Sequence, residues 1–160
     1  SIPPIVRSLT NLIAILEKGD AYAQVKKIDQ LVLINSRLYP DMHPLSKQVQ
    51  IASDVTRRGA ARLAGLEAPA MADNETTFAE LIDRIAKTIT YLETITPDQI
   101  DGSEQKKIIL PMGKESITLR GMPYLTSFIL PNLYFHVTTT YNILRHSGVE
   151  LEKMDFLGKP

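Results

Sequence analysis

The sequence predicts an all-α protein, a four-helix bundle with a small β-hairpin before the last helix. Three observations carry that expectation. Four long stretches repeat apolar residues every three or four positions, the period of a helix that buries one face. The segments between them hold the Pro, Gly, Asn and Asp residues that end helices and make turns. Only the region from 107 to 120 changes period, to two short β-branched runs. Long amphipathic helices on modest connections pack as a bundle, and 160 residues suit one domain over 1–160.

The first helix is expected after Pro3-Pro4, because proline is tolerated in a first turn. Ile5, Leu9, Leu12, Ile13 and Leu16 form its stripe, and Gly19-Asp20 reads as its end. A short helical piece over about 21–28 follows, then the apolar run "LVLI" and the connection "NSRLYPDMHP". Pro44 opens the second long helix, with Asp41 or His43 near its cap. Leu45, Gln48, Val49, Ala52 and Leu63 share a face with the small residues Gly59, Ala60 and Ala64, which allow close approach of a neighbour. Gly65 closes that helix, and "LEAPAMADNE" is a loop.

Thr77 and Glu80 have capping-box spacing and start the third helix. Its stripe is Phe78, Leu81, Ile82, Ile85, Ile89 and Leu92, and it stops before Pro97. "KKIILPMGKESITLRG" reads as a hairpin turning at Met112-Gly113-Lys114, with Pro111 fit only for an edge strand. The last helix is expected from about 123 to 147. Gly148 is its C-cap, and its apolar residues on nearly every face predict the deepest burial in the bundle.

Composition narrows the function classes. The chain is 44% hydrophobic and 22% charged, ordinary for a globular domain. Eighteen basic and eighteen acidic residues cancel, which argues against nucleic acid as a partner. Arg57, Arg58 and Arg62 read as a solvated face. With no cysteine, disulfides, thiolate metal sites and a cysteine nucleophile are excluded. A cytoplasmic location is expected. No stretch has the length and apolarity of a membrane span, nor the basic start and apolar run of a signal peptide. The chain begins at Ser1, so a longer or processed native start is expected.

The candidate site lies in the last helix. Leu125, Ile129, Asn132, His136, Thr139 and Ile143 are three or four residues apart and share one face. Asn132 and His136 are therefore polar groups one turn apart in an apolar stripe, and each needs a partner if buried. Pro131, just before them, cannot donate to the carbonyl of Ser127 and should open that turn. Gln48 is a polar residue on the apolar face of the second helix, with His43 upstream. If these two helices face each other, Gln48 or His43 meets Asn132 and His136. The plainer reading makes His136 a packed histidine hydrogen-bonded to Asn132, Gln48 or a tyrosine. In the same way His43 reads as a loop or cap residue, and His146 as a favourable charge at a helix C-terminus. Asp73 and Glu75 lie in a loop with no sign of a cleft. "RRGAARLAG" lacks the ending of a phosphate loop.

Four stretches, "VRSLTNLIAILEK", "RLYPDMHPLSKQVQIA", "DNETTFAELIDRIAKT" and "LPNLYFHVTTTYNILRHSGVEL", resemble the DinB/YfiT-like superfamily of candidate metalloenzymes. Within it they resemble a bacterial branch known as a domain of unknown function. The resemblance implies a four-helix bundle and a homodimer. It implies a site built from one histidine of the second helix and two histidines, four apart, in the last. Leu144-Arg145-His146-Ser147-Gly148 matches the family's Leu-Arg-x-x-Gly element, which places His136 on the second of those histidines and Asn132 on the first. Val137-Thr138-Thr139 stands where the family has Arg-Gly-Gln. The expectation is a degenerate pocket between the second and last helices, lined by Gln48, Asn132 and His136, with His136 and His43 as ligands of a divalent metal, zinc or nickel. Metal-assisted hydrolysis or thiol transfer is the implied chemistry. The alternative is a non-catalytic bundle that binds a small molecule or its own copy.

Overall fold

The computed structural model describes residues 1–159. Four long helices, α1 (Ile2–Lys26), α3 (Leu45–Ala64), α4 (Phe78–Glu93) and α7 (Leu130–His146), build the bundle. Short helices fill the connections: α2 (Gln30–Ile34), α5 (Pro97–Ile100) and α6 (Gly121–Tyr124) between them, and α8 (Lys153–Leu157) after α7. Strands β1 (Lys107–Met112) and β2 (Glu115–Arg120) pair antiparallel, from Lys107 opposite Arg120 to Met112 opposite Glu115. That register leaves Gly113-Lys114 as a two-residue turn, with Gly113 at φ 65°, as such tight turns demand. The bundle and its hairpin are those expected.

The core is a single cluster from all four long helices, including Leu9, Leu12, Leu16, Val49, Phe78, Leu81, Ile85, Leu133, Val137 and Leu144. Helix α1 packs chiefly on α4, and α3 on α7 and α4. The capping box at Thr77 is present: its hydroxyl accepts from Glu80 N–H, and the Glu80 carboxylate accepts from Thr77 N–H. Gly65, at φ 75°, ends α3.

Four expectations are corrected. Helix α1 does not stop at Gly19-Asp20 but continues to Lys26. Gly19 is there for packing: a Cβ on it would sit 3.1 Å from Phe78 and 3.2 Å from Leu144. "LVLI" lies within the short helix α2, whose start is capped by Asp29. The last helical region begins at Gly121 rather than 123, and a π-helical turn, Leu125–Ile129, interrupts it before α7. Finally, α3 is the more deeply buried helix, with twelve of twenty residues buried against seven of seventeen in α7. Its small residues let it sit between two neighbours, whereas α7 leaves Tyr134 and Phe135 exposed.

The π-turn has a clear cause. Pro131 has no N–H for the carbonyl of Ser127, so the ordinary four-residue ladder cannot run through this turn. Leu130 N–H instead donates to the carbonyl of Leu125, five residues back. Such turns often mark functional segments. Here it sets the position of the helix that carries Asn132 and His136.

Candidate functional site between α3 and α7

Helix α3 brings Gln48 to His136. The Gln48 Oε1 to His136 Nδ1 distance is 2.7 Å, and both residues are buried. Gln48 lies in the first turn of α3 because Pro44 starts that helix. From there Gln48 Nε2–H reaches back to the carbonyl of His43 at 3.0 Å.

This second hydrogen bond decides the chemistry of the first. The His43 carbonyl can only accept, so the amide NH2 of Gln48 must face it and Oε1 must face His136. An oxygen opposite Nδ1 requires Nδ1 to carry the proton. The lone pair of the neutral imidazole is then on Nε2. That atom has no protein partner among the described residues. Unlike Arg57 Nε and Arg84 Nε, it is not sealed inside the protein without one. Burial, with the charge of His43 adding to it, lowers the His136 pKa from 6.5 to about 4. At neutral pH the ring is uncharged, held in one orientation, and carries its free acceptor on Nε2. Phe135, next in sequence, meets it edge to face with ring centroids 5.1 Å apart.

The expected pairing of His136 with Asn132 does not form. Asn132 Nδ2–H donates to the carbonyl of Phe128 at 2.7 Å, within its own helical turn. The π-turn supplies the reason, since it opens the ladder just where an amide side chain can bridge it. His43 is exposed in the loop before α3 and close enough for its charge to act on His136. His146 is exposed at the end of α7, as expected.

The donor set does not make a three-ligand metal centre. The Gln48 oxygen is spent on His136, and among the described residues no group of three His, Cys, Asp or Glu side chains is placed to hold an ion. Zinc and nickel sites favour nitrogen ligands, normally three from the protein at a catalytic zinc. Here imidazole nitrogens come from His136 and His43 alone, so no reaction step is assigned to a metal.

A second polar cluster corrects the expectation for the three arginines of α3. Arg57 is fully buried, not part of a solvated face. It donates to Asp54 at 2.6 Å and to the carbonyl of Pro69. Arg62 donates to the Tyr124 hydroxyl at 3.2 Å. Only Arg58 of the three is exposed. Asp73 and Glu75 lie in a loop, as expected, and with Asp54 they surround the buried Arg84, at 3.0, 2.8 and 2.8 Å. Burial pulls the Arg84 pKa down, but the carboxylates, led by Glu75, outweigh it and the net shift is upward. Charge spacing along one helix could not reveal this, because the partners come from a loop and another helix.

No helix among the described residues is long and apolar enough to cross a membrane. No curated protein matches the chain. Over its full length it is similar to a DinB family member protein from Shewanella denitrificans, with 44% identity, a TM-score of 0.93 and 90% of that chain covered. The model of a domain of unknown function, DUF1993, matches residues 1–157. The chain therefore belongs to the DUF1993 family and shares the fold of a DinB family protein.

Proposed function

We propose that the seam between α3 and α7 is a ligand site, and that the protein acts as a DinB-like binding protein through the neutral imidazole of His136. The observation that carries this is the relay from the His43 carbonyl through Gln48 to His136 Nδ1. It uses two hydrogen bonds to leave one acceptor, Nε2, without a protein partner among the described residues. A general base works best with a pKa near the operating pH. A pKa of about 4 makes His136 a weak base at neutral pH but an unprotonated acceptor over a wide range. Binding suits it better than proton abstraction.

The test is side-chain 15N NMR of His136. A neutral ring protonated on Nδ1 from pH 7 down to about pH 5 is expected. A ring protonated on Nε2 would sink the proposal, because the acceptor would then face Gln48.

The same geometry supports a second reading. An imidazole held by Nδ1–H on an amide oxygen is oriented as metal-binding histidines are. As a second reading we propose a divalent metal, zinc or nickel, on His136 and His43, and with it metal-dependent activity. Elemental analysis and thermal melts with added zinc and nickel distinguish the two. Stoichiometric metal lost in His136→Ala, with a metal-dependent rise in melting temperature, supports the metal reading. Background metal and unchanged melts remove it. A homodimer is proposed on the exposed Phe135 of α7, and light scattering that shows a monomer at high concentration would exclude it.

A further inference from the structure

A second site lies on another face of α7. Tyr134 precedes His136 by two positions, about 200° around a helix, so it points away from the α3 seam. There α1, α7 and α8 border an open groove of about 540 Å³, within the volume range of small-molecule sites. Tyr134 and Phe156 form an aromatic wall, edge to face with ring centroids 6.4 Å apart. Met154 adds a further apolar surface.

The polar groups are few and placed on one side. Arg7 carries the single formal charge among the lining residues. Its Nη2 donates to the carbonyls of Leu157 at 3.0 Å and Gly158 at 3.5 Å, which leaves Nη1 and Nε without a protein partner among the described residues. Asn11 Nδ2–H fixes the Phe156 carbonyl at 2.9 Å and so holds α8 in place. Ser8 is only 7% exposed and lines the groove, yet its hydroxyl makes no hydrogen bond among the described residues. That hydroxyl is not sealed from solvent, so a ligand group in the groove can accept from it.

We infer that this groove binds a small amphipathic monocarboxylate. The carboxylate meets Arg7 and accepts from the Ser8 hydroxyl, while an aromatic or alkyl body lies on Tyr134, Phe156 and Met154. One positive charge calls for one negative charge, and the free Nη1–H of Arg7 can donate to a carboxylate oxygen. The inference does not depend on the His136 site.

Isothermal titration with hydrocinnamate, and with hydrocinnamyl alcohol as its uncharged counterpart, tests it. The acid should bind saturably and the alcohol about fivefold or more weaker, the worth of roughly one hydrogen bond. Arg7→Gln, at an exposed position, should abolish that preference while leaving the weak alcohol binding. Ser8→Ala should weaken the acid only. Met154→Trp, which fills the groove from an exposed position, should remove both, and His136→Ala should change neither. Absence of saturable acid binding, equal binding of acid and alcohol, an unchanged preference in Arg7→Gln, or undiminished binding in Met154→Trp would overturn the proposal.

Discussion

His136 illustrates how much one hydrogen-bond chain can specify. The histidine and Gln48 were both legible as polar residues on apolar helical faces, whereas the family resemblance singled out His136 together with Asn132. Their meeting at 2.7 Å bears on stability as well as chemistry. The folded-state pKa of His136, about 4, lies below its ordinary 6.5, so the fold prefers the neutral ring. That preference is fully present above pH 6.5. As pH falls from there to 4 the unfolded chain takes up a proton that the folded chain refuses, and stability declines. The loss from this group is on the order of 3 kcal/mol, and urea unfolding from pH 7 to 4 measures it. His136→Phe should flatten that part of the profile while lowering stability at pH 7, because Gln48 Oε1 is left without its donor. Asn132 is the contrasting case. Its spacing from His136 was visible, but its partner is a carbonyl of its own turn, which only the geometry around Pro131 provides.

Helices record their ends in sequence better than their neighbours. The Thr77 and Glu80 capping box needs only local chain and was readable directly. Thr77→Ala should cost about 1 kcal/mol in thermal or urea unfolding. Glycine is harder to interpret. Gly65 stops α3 because its backbone is left-handed, whereas Gly19 lies inside α1 because a neighbour approaches it. Gly59 is of the second kind. A Cβ there would come 2.6 Å from Ile129 Cδ1, where the π-turn crosses α3. Gly59→Ala should therefore destabilise by about 1–3 kcal/mol, as overpacking does. Ile129→Val, which removes Cδ1, should make the pair cost less than the sum of the two changes. Additive costs would mean that the two sites do not touch. The same reasoning explains α1: a glycine's steric permissiveness looks alike in sequence whether a turn or a packed neighbour uses it.

Across the molecule, residues 66–77 behave as a strap latched by charge. Arg57 and Arg84 hold the carbonyls of Pro69 and Ala72, and Arg84 adds the carboxylates of Asp73 and Glu75. Lys47 fastens Asp73 from the other side at 2.8 Å, and Gln50 donates to Glu75 at 2.9 Å. Beneath the strap, the buried hydroxyls of Ser53 and Thr88 lie 2.8 Å apart, each reaching the sulfur of Met71. Removing one side of a buried ionic cluster costs about 3–5 kcal/mol, because the other side is stranded. Arg84→Met should thus lower stability by that order and make the 66–77 segment the first site of limited proteolysis. Unchanged melting and cleavage would show that the strap is held by packing instead.

The bundle was legible because helical periodicity, caps and the period change at the hairpin are local properties, set within a few residues of chain. Gln48 and His136 could be nominated on the same local grounds, as polar residues on faces that a bundle must bury. Which atom of His136 carries the proton was not local, since it depends on a carbonyl beside Pro44 reached through Gln48. Nor was the burial of Arg57 and Arg84, because desolvating a charge is tolerable only beside partners that the chain supplies from far along its length. The groove beside α8 has the same origin: Ser8, Tyr134 and Phe156 are unrelated in sequence, and they line one groove because the C-terminal turn folds back across α1 and α7.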